Sequence, residues 1–184
     1  MMDVVNFMRY TENLAEHLLD DFTQTWFPKA FDVSNTLRAR GGEEQFVWTS
    51  HPWLLWSYLN NETGSVNAQE IQDLDDAIRA GDIIWHANPM NMQFESAEPT
   101  HMAEQLDLTT RLRKRYNFTA NATGTVAASN KDEPGLTLGM LKMFAQKGIK
   151  FMHVGVNDFS TVPAVPSTSA HFHGYCNTFA WVRT

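Results

Sequence analysis

The 184-residue sequence predicts an α/β fold in which short parallel strands alternate with helices. Three observations carry that expectation. Apolar runs too short for helices recur between longer stretches whose apolar residues fall at helical spacing. Capping residues stand where those longer stretches begin and end. The strands also end in polar residues, which a parallel sheet gathers along one edge.

Residues 10–40 are expected to be helical, with Leu14, Leu18, Phe22 and Trp26 recurring every four residues and Leu19 widening the stripe. Pro28 lacks a backbone donor, so a kink or a new helix is expected there. Ala30, Val33 and Leu37 continue the apolar face until Gly41-Gly42 ends it. Residues 45–49 read as the first strand, stopping at Ser50-His51-Pro52. A short aromatic helix follows with Trp53, Leu54, Trp56, Tyr58 and Leu59, and residues 60–64 form a turn. Asn67 and Glu70 have the spacing of a capping box. Ile71, Leu74, Ala77 and Ile78 give that helix its buried face, and Gly81 suits a left-handed C-terminal residue.

The second strand is residues 83–86, followed by a polar loop over 87–100, a length at which loops are often functional. The helix at 101–116 is expected to bury Met102, Leu106, Thr109 and Leu112. Thr125-Val126-Ala127-Ala128 reads as a third strand and 130–135 as its polar tip. Leu138, Leu141, Phe144 and Ala145 then mark a helix closed by Gly148, with Asp132 or Glu133 as its cap and Pro134 in its first turn. The fourth strand is 151–156, and 179–182 forms a last strand after a stretch broken by Pro163 and Pro166. The pattern predicts one domain over 1–184. Four strand–helix units are too few to close a barrel, leaving an open sheet or part of a larger barrel.

Composition narrows the function. A net charge of −7 and a pI near 5.4 argue against a nucleic-acid binder. The basic run Arg111-Leu112-Arg113-Lys114-Arg115 falls late in a helix, where cations complement the dipole on a solvated face. Cys176 stands alone, so no intrachain disulfide forms. No signal peptide or membrane-spanning run is expected, which makes the cytoplasm the default compartment and a membrane partner unexpected. Asn61, Asn117 and Asn121 match glycosylation sequons, a pattern that chance often supplies.

The chemistry is expected at the strand tips: Thr49-Ser50-His51, His86 with Asn88, Asn130 with Asp132, and Asn157-Asp158. A carboxylate such as Asp132 at a strand end could hold a cation or attack an electrophilic carbon; equally, it could only cap the next helix. Glu95 and Glu98 could supply a second carboxylate for acid–base work, or simply favour the following helix dipole. His171-Phe172-His173 places two imidazoles at alternating spacing in a loop-like context. Trp53 offers a platform for a sugar ring, whereas Trp48 and Trp85 lie within strands and are expected to fill the core.

Several segments together resemble a known family. They are Phe46-Val47-Trp48-Thr49 with Trp53-Leu54, Ala80-Gly81-Asp82-Ile83-Ile84-Trp85-His86-Ala87, Lys131-Asp132-Glu133-Pro134-Gly135, and the stretch from Gly148 to Asn157 with Ser160-Thr161. From about residue 10 onward the chain resembles the DUF5054 family, related to the catalytic domain of glycoside hydrolase family 38, the α-mannosidases. The resemblance implies part of a seven-stranded β/α barrel of the glycoside hydrolase and deacetylase type, acting on carbohydrate. It implies zinc as cofactor, with Asp132 as both nucleophile and metal ligand in retaining hydrolysis of α-mannosidic or similar bonds. Glu95 would be an auxiliary acid, and Trp53, His86, Asn88 and Asn157 would face substrate. The family's His-x-Asp strand is expected before residue 10 and is not seen there, and Leu136 stands where a histidine usually follows the Pro-Gly. A truncated chain with an impaired metal site is therefore expected. The alternatives are a non-catalytic carbohydrate-binding or structural remnant and a deacetylase-like metallohydrolase. Unpaired strand edges of a partial barrel would also invite self-association.

Overall fold

The structure is a computed structural model that describes residues 20–62, 64–93, 96–118, 127–131, 137–155 and 177–180. It is a mixed helix-and-strand fold with short parallel strands, and contacts divide it into two compact units, Met1–Trp85 and His86–Thr184.

The described residues of the first unit begin with a helical stretch in which a π-turn, Phe22–Trp26, runs directly into α1, Phe27–Arg40. Pro28 explains the turn: its missing N–H and its ring disfavour regular bonding one turn earlier, and the Phe27 N–H reaches back five residues to the Phe22 carbonyl. One extra residue is thereby absorbed, and the buried stripe shifts by one position. Phe22 is followed inward by Phe27, Ala30 and Ser34, while Trp26 and Val33 are 42% and 44% exposed. The four-residue stripe expected from the sequence fails at Trp26 and Val33 for this reason. Gly41, at φ 69°, closes α1 in the left-handed conformation.

Strand β1, Trp48–Ser50, begins later than the expected 45–49. It is followed by α2, Pro52–Leu59, α3, Ala68–Ala80, and β2, Ile83–Trp85. The capping box at α3 is complete: the Asn67 side chain accepts from the Gln69 and Glu70 N–H groups, and Glu70 accepts from the Asn67 N–H at 2.8 Å. Leu74, Ala77 and Ile78 are buried as expected, and Gly81 at φ 84° ends the helix. Strands β1 and β2 pair in parallel, Trp48 opposite Ile83. Phe27, fully buried, holds the core together, its ring centroid 4.9 Å from Trp48 and 5.0 Å from Tyr58.

In the second unit α4, Pro99–Tyr116, buries Met102, Leu106, Thr109, Leu112 and Tyr116. Strand β3 is Ala127–Lys131, and Thr125 and Val126, expected to open it, lie outside the described residues. It is followed by α5, Leu138–Gln146, β4, Phe151–Gly155, and β5, Asn177–Ala180. Met102, Leu106, Met140, Phe144, Ile149 and Met152 close around the small residues Ala87 and Ala128.

Strands β3 and β4 are parallel, but β5 pairs antiparallel with β4, Phe151 opposite Ala180. The all-parallel expectation fails at this strand. A parallel return needs a crossover, usually a helix, and the stretch bearing Pro163 and Pro166 carries no helical pattern to form one. Among the described residues no seven-stranded barrel is present, and no helix is long and apolar enough to cross a membrane.

Candidate functional site at the end of strand β3

The second unit gathers buried polar side chains where the stretch after β2 meets the C-terminal half of β3. Backbone pairing begins the meeting, with the Ala87 N–H donating to the Ala127 carbonyl at 2.7 Å. Asn88, wholly buried, donates from Nδ2 to the Ser129 carbonyl at 2.8 Å and toward Asn130 Oδ1 at 3.4 Å. Its own N–H donates to His86 Nδ1 at 3.1 Å, which fixes that nitrogen as an acceptor.

Asn130 is the centre of the arrangement. Its Oδ1 accepts from the Met92 N–H and its Nδ2 donates to the Met92 carbonyl, both at 3.1 Å. The side-chain amide thus pairs with a backbone unit as a neighbouring strand would, and it clamps the loop to the strand end. Asn130 is only 1% exposed and Met92 is partly buried, so losing a partner in either bond is costly. Asn88 Oδ1 is also buried and makes no hydrogen bond. Ser129 Oγ lies 3.1 Å from His153 Nδ1 across the β3–β4 pair.

Of the residues proposed for substrate contact, His86 and Asn88 are thus brought to Asn130 in a buried cluster. Trp53 lies on α2 in the first unit, half-buried, with its indole nitrogen shielded and making no hydrogen bond. The tip at Ser50 and His51 is buried in that unit as well. Asp132, Glu95 and Asn157 lie outside the described residues, as do Glu133, Asp158, His171 and His173.

Two helix caps bear on the candidate carboxylates. Glu98 is the N-cap of α4, accepting from the Thr100 hydroxyl and from the His101 N–H, and these bonds lower its pKa, the Thr100 bond most. Glu98 is thereby engaged at the start of α4. The cap of α5 is Thr137, whose side chain accepts from the Met140 N–H at 3.3 Å. The expectation of Asp132 or Glu133 as cap therefore fails: the helix starts at Leu138, beyond the first turn that Pro134 had marked.

Sequence reasoning missed the Asn130 clamp. The only available signal was an amide following Ala127-Ala128-Ser129, small residues that let another chain segment approach closely. Zinc favours three or four protein ligands, and among the described residues no group of three or more His, Cys, Asp or Glu side chains is arranged to hold a metal. The described residues alone do not supply a zinc set.

An open groove of about 480 Å³ in the first unit lies elsewhere, against α1, α3 and Asp82, which precedes β2. Chemistry in α/β folds gathers beyond the carboxyl ends of strands, and this groove is at the opposite end of β2. The chain matches no protein-family model, no curated protein and no solved structure. The family resemblance therefore rests on the sequence motifs alone.

Proposed function

We propose that the chain is a partial β/α-barrel domain of the glycoside hydrolase family 38 type, acting on α-mannosidic or similar bonds with impaired turnover. The observation that carries the reading is the Asn130 clamp. It ties the segment leading to Glu95, three residues beyond Met92, to the strand leading to Asp132, two residues beyond Asn130. A purely structural loop anchor would use the same bonds. The cap at Thr137 adds to the functional reading, because α5 needs neither Asp132 nor Glu133 to satisfy its first turn.

In this reading the Asp132 carboxylate attacks the anomeric carbon as the glycosidic bond breaks, and Glu95 gives its proton to the departing oxygen. Water, deprotonated by Glu95, then releases the sugar from Asp132 with retained configuration. The test is hydrolysis of an aryl α-mannoside by the full chain, with intact-mass detection of a glycosyl adduct formed from a fluorinated mannoside. Weak turnover and an adduct are expected, both lost in Asp132→Asn. Turnover unchanged in that variant would end the reading.

The antiparallel β5 favours a second reading, a carbohydrate-binding or structural remnant without turnover. It pairs with β4 along an edge where a complete barrel would need a parallel neighbour. Sugar binding that survives Asp132→Asn but is lost in Trp53→Ala, with no adduct in either, would support it.

A further inference from the structure

We draw no further inference here: the strongest candidate, the acidic groove of the first unit between α1 and α3, is a cluster of Asp32, Asp73, Asp76 and Asp82 around Arg38, and nothing in the structure identifies the ligand or partner that would fill it.

Discussion

The two units solve the same problem with different materials. The first buries aromatic rings, with Phe22 against Trp48 and Phe27 against Trp48 and Tyr58, and buries Leu74, Ile78 and Trp85 as well. The second has a core built largely from methionine and alanine, with Leu106, Phe144 and Ile149, and it carries a buried amide network at the end of β3. Rings impose shape and lose heavily on truncation, whereas methionine adapts to irregular gaps. A buried amide network instead fixes one arrangement through hydrogen bonds that water cannot replace. The first unit thus holds its shape by packing, while the second adds specific polar bonds where the candidate site lies.

The contrast can be broken by mutation. Phe27→Ala should destabilise the chain by about 3–5 kcal/mol in urea unfolding, since a fully buried ring leaves a cavity. Met152→Leu in the other core should cost under about 1.5 kcal/mol because volume is conserved. If the methionine change proved as damaging as the phenylalanine truncation, the distinction between the two cores would fail.

Asn130→Ala tests the polar half of the comparison. It should cost about 2–4 kcal/mol by leaving the Met92 N–H and carbonyl without their partner. Amide exchange at Met92 should quicken more than exchange within α3. Equal quickening in both places would mean that the clamp is not local to the strand end.

Smaller effects sharpen the picture at helix ends. Asn67→Ala should cost about 1 kcal/mol through loss of the capping box. Glu98 titrates below its ordinary value in the folded chain, so its stabilising effect on α4 is present above the usual carboxylate range. That effect should fade as pH falls through the lowered folded value, and Glu98→Gln should flatten this part of the acid unfolding profile. Tyr58 provides the alkaline counterpart. Burial first, then the Glu70 and Asp73 carboxylates, raise its pKa, so stability should decline as pH rises past about 10, where an unfolded tyrosine ionises. Tyr58→Phe should remove that alkaline slope.

What the sequence made legible was local. The capping box at Asn67, the left-handed Gly81 and the buried face of α4 each depend on residues within about one or two turns. The π-turn escaped because periodicity assumes a constant repeat, and one absorbed residue moves the inward place from Trp26 to Phe27 and from Val33 to Ser34. The antiparallel β5 escaped because strand direction is set by tertiary pairing, which alternating strands and helices only imply. At the candidate site the polar character of His86, Asn88 and Asn130 was readable, but their union was not. The Asn130–Met92 pairing spans 38 positions, and no local pattern encodes it.

The π-turn before Pro28 also bears on how this chain should be aligned with any homologue. A homologue lacking one residue between positions 22 and 26 could form an unbroken α-helix and still bury the same aromatic face. A gapless alignment of the two would then set Trp26 against a core residue and Phe27 against a solvent-facing one, disguising kinship along the whole of α1.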